Sequence, residues 1–320
     1  MIPRPDPLRR PLAVTLLAAA VAFYVASGFF GREMLAEAAI FAVFAMSLDL
    51  LVGYAGMVSL GHAAFFGIGA YATAGLTVFA GWPLAAAMPA AVALSGLGAL
   101  VVGIFCVRLS GVFFIMITLA FSQMFHAWFF KDRSFGGDDG LGGIPRFDLS
   151  AFGLDMSNPT HYAPFVLVLA VGAYLLMARI VGSPFGHVLM AIHQNEGRLT
   201  ALGCPVRRYK LAVFVMAALF AGLAGSLMAQ HTGFISPDLF FWTLSGEVLI
   251  MVIVGGMGSL LGPALGAAVV IGLRDELSSL TDHWMLYLGA FFVAVVLFAG
   301  DGIHGRLRHL VSRRKASGDA

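Results

Sequence analysis

The feature that most constrains this chain is the recurrence of apolar runs about 20 residues long, the length at which an α-helix rises through the roughly 30 Å hydrocarbon core of a bilayer. Residues 12–30, 35–52, 57–80, 84–107, 111–130, 162–181, 211–230 and 284–300 form such runs, and two shorter ones occupy 244–254 and 259–273. Inside lipid every backbone N–H and C=O needs a partner within the protein, so only helices and closed barrels span it. The short alternating strands of a barrel are missing from the pattern, so the spans read as helices. A chain of 320 residues that is 60% hydrophobic and 11% charged agrees, since soluble domains carry about 25% charged residues. The expectation is an all-α, polytopic integral membrane protein, a single transmembrane domain over residues 1–320. About 8–10 helices are expected, with short or re-entrant segments among them.

Orientation follows from where Lys and Arg lie in the short connections. The N-terminal segment (Arg4, Arg9, Arg10), residues 182–210 (Arg198, Arg207, Arg208, Lys210) and the tail 301–320 (Arg306, Arg308, Arg313, Arg314, Lys315) are basic, whereas 131–161 is richer in Asp. Alternating spans place both termini and 182–210 in the cytoplasm and 131–161 outside, if 244–273 crosses as a pair; a re-entrant hairpin is the other possibility. Arg9-Arg10 before an apolar run imitates a signal peptide, but with so many later spans an uncleaved first helix is expected. The net charge of +2 points to no nucleic-acid partner. Cys106 and Cys204 are far apart with no zinc-type spacing, and read as packing residues. No metal and no cofactor is expected.

The longest charged interval between two apolar runs extends from Ser183-Pro184-Phe185-Gly186 through Asn195-Glu196-Gly197-Arg198 to Leu202-Gly203-Cys204-Pro205 and Arg207-Arg208-Tyr209-Lys210. It carries helix punctuation: Asn195 can cap a short helix, Glu196 suits its positive end, and Gly203 with Pro205 stops it. Such a segment is a built surface offered to a partner. Its contact core is expected to be a helix from Glu196 to Leu202, with the Arg207 to Lys210 cluster anchored among lipid headgroups.

Two glycine turns echo each other. Val52-Gly53-Tyr54-Ala55-Gly56 followed by Gly61 resembles Val254-Gly255-Gly256-Met257-Gly258 followed by Gly262. Glycine-interrupted segments at matching positions of two halves point to a transport pathway, while the plain alternative is that glycine is common in membrane helices. Gly67, Ala70, Ala74 and Gly75 lie at helical spacing and let another helix approach closely. Asp49 and Glu247 are acidic residues inside or at the edge of apolar spans, and such groups are candidates for lining a pathway or touching solute. Both stand near expected span ends, where water or a helix terminus can satisfy them. His62, near a helix start, suits a bond to a neighbouring backbone carbonyl before any solute or proton role. Asp138-Asp139 among glycines lacks the periodicity of a calcium loop and reads as a flexible external segment touching a partner. Phe240-Phe241-Trp242 suits the aromatic belt at the bilayer surface.

Several chemistries are missing. A phosphate-cradling loop needs Gly-Lys followed by Ser or Thr, and none of Lys131, Lys210 and Lys315 follows a glycine. No zinc-protease helix and no nucleophile elbow occurs, and Ser226 with His231 has only closeness in sequence to suggest a hydrolytic pair. The chain therefore reads as no enzyme.

The run Ser47-Leu48-Asp49-Leu50-Leu51-Val52-Gly53-Tyr54-Ala55-Gly56, continuing into Ser59-Leu60-Gly61-His62-Ala63-Ala64-Phe65-Phe66-Gly67-Ile68-Gly69-Ala70-Tyr71, resembles the membrane permeases of branched-chain amino acid ABC importers, of the LivM type. The same pattern returns in Asp139-Gly140-Leu141, Ser183-Pro184-Phe185-Gly186, Asn195-Glu196, Ala201-Leu202-Gly203, Gly233-Phe234-Ile235-Ser236-Pro237 and Gly255-Gly256-Met257-Gly258-Ser259. The resemblance implies a permease subunit of the bacterial inner membrane that pairs with a LivH-like permease, two cytoplasmic ATP-binding subunits and a periplasmic binding protein. It places ATPase docking at Asn195, Glu196, Ala201, Leu202 and Gly203. Two positions depart from its pattern: Asp49 stands where Asn is expected, and Gly197-Arg198 replace a more helix-forming continuation. Relatives of the family are also associated with urea or aromatic compounds, so these are alternative substrates. A rival from another class is a stand-alone secondary transporter or channel, for which Asp49, Glu247 and His62 would be the coupling residues.

Overall fold

A computed structural model describes residues 9–148, 155–298 and 302–306. Arg4 and most of the basic tail, from Arg308 on, lie outside the described residues. The chain runs through α1 (Arg9–Ala26), α2 (Phe29–Asp49), α3 (His62–Ala74), α4 (Leu84–Cys106), α5 (Val112–Lys131) and α6 (Pro159–Val181). Then follow α7 (Pro184–Gln194), α8 (Glu196–Ala201), α9 (Val206–Thr232), α10 (Trp242–Gly255), α11 (Leu261–Leu280) and α12 (Trp284–Phe298). Helices α2 and α3 each continue into a π-helical turn, Leu50–Tyr54 and Gly75–Phe79. Among the described residues, six helices are long and apolar enough to cross a membrane: Phe29–Tyr54, His62–Phe79, Leu84–Cys106, Val112–Lys131, Pro159–Val181 and Val206–Thr232. The expected polytopic helical architecture is the observed one.

Helix α2 is the central staff, packed against α6, α9, α10 and α11. It starts earlier than hydropathy suggests. The break falls at Ser27-Gly28, so Phe29, Phe30, Arg32 and Glu33 all join α2. Neighbours make these polar groups tolerable: Arg32 donates to the Thr160 hydroxyl at 2.6 Å, and Glu33 pairs with Arg146 at 3.2 Å. A second layer joins α3 to α9 and α4. A Cβ added at Gly225 would run into the Phe66 carbonyl, and one at Gly69 into the Gly222 backbone, so α3 and α9 touch backbone to backbone. Of the small residues expected to admit a helix, Ala70 lies at this contact, whereas Gly67 and Gly75 face the rings of Phe240 and Phe135; Gly69 makes the close approach instead. Exposed large apolar side chains on α1, α4, α5, α6 and α12 (Val25, Leu97, Phe113, Val168, Leu297 among them) form the surface that hydrocarbon covers.

The bundle has two distinct ends. At the strand end, β1 (Leu141–Gly142) pairs antiparallel with β2 (Phe234–Ile235), Leu141 opposite Ile235. Arg146 locks this end, donating to the carbonyls of Gln230, Met156, Ser157 and His231 at 3.0–3.3 Å and lying over the Tyr162 ring. The Asp138-Asp139 segment is therefore no slack loop: Gly137–Asp139 is a 3-10 turn leading directly into β1. Phe240 likewise leaves the expected belt. It is fully buried against Tyr71, Phe125 and Phe129, with ring centroids 4.7–6.3 Å away, because its backbone is pinned by the Ser122 hydroxyl at 2.6 Å. Only Trp242 of that trio is exposed.

Candidate functional site at the end formed by α7 and α8

The opposite end gathers residues 55–61, the hinge at 107–111, the α7–α8 corner and the turn at 256–260. Residues 182–210, which hydropathy marks as a loop, are mostly helix. In α7, Pro184 occupies the first turn, where its missing N–H costs nothing. Gly186, Leu189 and Ile192 fall on the buried face at helical spacing. Asn195 is extended (φ −161°), ends α7 and caps α8, its Oδ1 accepting from Arg198 N–H at 2.9 Å. This is the cap expected from sequence, and Gly197 does not prevent the helix. Helix α8 buries none of its six residues. Leu202, at its C-cap, is 78% exposed, and Gly203 turns the chain with φ +80°. The basic cluster behaves differently from expectation. Arg207 and Arg208 are exposed, but Lys210 is buried and donates to Glu196 Oε2 at 2.6 Å, tying α8 to α9 rather than meeting headgroups.

At the other limb of the corner, His193 Nδ1 lies 3.1 Å from the Gly53 carbonyl, at the end of the π-helical turn of α2. A carbonyl only accepts, so Nδ1 carries the proton. Gly53 in turn rests on the second glycine turn, since a Cβ there would strike the Gly258 backbone and Asp49 Oδ1. Asp49 is fully buried; its Oδ1 accepts from Gly258 N–H at 2.7 Å and its Oδ2 from Leu260 N–H at 3.1 Å. The two echoing motifs therefore meet: Gly53 and Gly258 touch, with Asp49 clamping the second turn to the end of α2. Ser259 closes that turn, donating to Gly256 O and accepting from Gly262 N–H, both at 2.9 Å. Gly255 packs on the Gly262 backbone, and the ring of His193 lies where a Cβ on Gly56 would be. A cavity of about 260 Å³ opens beside the contact, lined among others by Gly56, Gly111, His193 and Glu196.

The other candidates do not assemble into one site. His62, at the first residue of α3, bonds the Ser47 hydroxyl at 2.8 Å rather than a backbone carbonyl, and stacks on Phe44 with centroids 5.5 Å apart. Gly61 precedes it, pressed on the Thr118 backbone. Glu247 lies nearer the strand end, where Arg274 of α11 bonds Glu37 of α2 and lies 3.7 Å from Glu247. Ser226 and His231 are not paired: Thr73 donates to Ser226 at 2.8 Å, and His231 faces Glu33 at 3.2 Å. Sequence reasoning missed His193, Arg146 and Arg274, which reach Gly53, Gln230 and Glu37 across 84 or more positions of the chain. No local pattern marks them.

The family described as "Branched-chain amino acid transport system / permease component" matches residues 30–299. The chain is 28% identical over 316 residues to the high-affinity branched-chain amino acid transport system permease protein LivM of Salmonella typhimurium, covering 91% of this chain and 73% of that one. It is 31% identical to the probable branched-chain amino acid transport permease protein LivM of Methanocaldococcus jannaschii, over 40% of this chain and 37% of the relative. A third similarity, 31% identity over 38% of this chain and 34% of the other, is to the xylose transport system permease protein XylH of Haemophilus influenzae. No solved structure matches the chain. Members of the family are non-catalytic transmembrane subunits, and membership implies ATPase and binding-protein partners. With the family covering all but the first 29 residues and the last 21, the chain belongs to the branched-chain amino acid transport system permease family and is a multi-pass membrane permease of the ABC transporter type.

Proposed function

We propose that the chain is the LivM-type subunit of an importer that moves branched-chain and other hydrophobic amino acids across the bacterial inner membrane. In this reading two ATP-binding subunits sit on the cytoplasmic end formed by α7 and α8. A LivH-like permease lies alongside in the bilayer, and a periplasmic binding protein delivers solute to the strand end. Both termini are cytoplasmic, which agrees with the basic residues of 182–210 and of the tail. Nucleotide binding and hydrolysis in the partners shift the helices between outward-open and inward-open states.

The observation that carries the reading is the construction of α8. It is capped by Asn195, fixed to α9 through Glu196 and Lys210, and buries none of its own residues. At its end Ala201, Leu202 and Gly203 stand in the open, Leu202 78% exposed. A rigid helix that is held from behind and offers an uncovered apolar side chain suits a partner surface. For the solute, the LivM of Salmonella typhimurium supports the amino-acid reading over most of the chain. The partial similarity to a xylose permease favours sugar as the second reading.

Leu202→Asp tests the docking assignment. Since Leu202 is exposed, the permease should fold and insert as before, while the ATPase ceases to co-purify and uptake falls roughly tenfold or more, equivalent to about 1.4 kcal/mol of lost association. Co-purification and uptake that both survive the substitution would remove the assignment.

A further inference from the structure

Resting on the docking of an ATPase at α8, we infer that His193 is the positioning residue through which movement of the α7–α8 segment enters the transmembrane core, by its Nδ1–H contact with the Gly53 carbonyl. The contact joins two kinds of structure. His193 belongs to the last turn of α7, which is amphipathic and lies against the bundle by Leu189 and Ile192. Gly53 belongs to a π-helical turn, and its carbonyl stands at the end of a helix, where in-helix donors run out. His193 supplies the donor from 140 positions away.

Three features make this contact a transmitter rather than a mere satisfied polar group. Its ring is seated against Gly56, where φ is +70° and a Cβ would meet the imidazole, so the ring has no slack on that side. Gly53 has no slack on its far side either, because it touches the backbone of Gly258. A displacement of Gly53 must therefore move the turn at 256–260, which Asp49 grips through Gly258 and Leu260. The π-helical turn is the element able to change: it is wider than an α-helical turn, and shifting its register alters the pitch of α2 below the clamp. By contrast the second link of the corner, Glu196 to Lys210, runs into α9, a continuous helix of 27 residues pressed along α3 and α4. A link into a straight, wedged helix transmits rigid-body motion only. The link through His193 reaches the point where the two glycine turns meet.

The test uses the assembled complex of this permease with its partner permease, ATPases and binding protein in nanodiscs. Amide hydrogen exchange over residues 50–60 is followed with and without a non-hydrolysable ATP analogue. The wild type should show a nucleotide-dependent change there. His193→Ala should keep the ATPases bound and lose that change. His193→Asn, whose amide Nδ2 stands where the imidazole Nδ1 does, should recover it. Three results would overturn the inference: no nucleotide-dependent change in the wild type, a wild-type change in His193→Ala, or no recovery in His193→Asn. Release of the ATPases by His193→Ala would also overturn it, making His193 a docking residue. The docking reading fails separately, by ATPase retention in Leu202→Asp, so the two failures are told apart.

Discussion

Two backbone N–H groups from the turn before α11 converge on Asp49, and this gives the carboxylate a structural task at a place where a charge is costly. Each oxygen takes one donor, at 2.7 and 3.1 Å. An amide at this position offers one acceptor oxygen and turns an N–H₂ group towards the second donor. Asp49→Ala should therefore lower stability by about 2–3 kcal/mol, from two unpaired buried donors, and Asp49→Asn by about half as much. Thermal unfolding of the purified permease in detergent measures the order: wild type above Asn above Ala. Equal melting temperatures for all three would show that water or backbone relaxation satisfies the turn. The residue was legible in the sequence as an ionisable group in an apolar span, since such groups are rare enough to notice. Its partners were not, because they lie 209 and 211 positions away and are backbone groups that any residue type carries. The same holds for His62, whose partner Ser47 belongs to a different helix.

At the scale of elements, what the chain reveals in one dimension is periodicity and punctuation, and what it conceals is burial. The Asn195 cap and the stop at Gly203 were readable because both act locally. Helix α7 was also available in principle: Pro184 opens it, and Phe185, Val188, Leu189 and Ile192 recur at helical spacing. It was hidden inside a charged interval that hydropathy alone marks as a connection. Phe240 reads as an interfacial aromatic until the connection between α9 and α10 sets its ring between Tyr71 of α3 and Phe129 of α5. The contact of α3 with α9 yields a firm expectation of its own. Gly225 lies against the Phe66 carbonyl, and a larger side chain cannot be accommodated by a rotamer change because the obstacle is backbone. Gly225→Ala should cost on the order of 1–3 kcal/mol, as overpacking does, and Gly225→Leu should prevent stable insertion. Yield of monodisperse protein in detergent reports both; a normal yield of the Leu variant would mean that the helices separate freely.

For the whole molecule, the bilayer explains most of the surface and the partners explain the rest. Apolar side chains of α1, α4, α5, α6 and α12 face outward because their solvent is hydrocarbon. The two ends are built for different work. The strand end is locked by Arg146, whose five hydrogen bonds collect α2, α9 and the connection before α6. The opposite end concentrates glycine turns, the cavity of about 260 Å³ and the exposed α8, where the proposed function docks the ATPases. Family membership accounts for a permease without catalytic machinery of its own. The central claim of the proposed function is that partner ATPases drive this permease to import a branched-chain amino acid. Radiolabelled leucine uptake into proteoliposomes containing the complete complex, with binding protein on the strand side, tests it most directly. Accumulation that requires ATP on the α7–α8 side is the predicted result. Leucine uptake that proceeds without ATPases or nucleotide, or uptake of xylose, urea or benzoate with none of leucine, would contradict it.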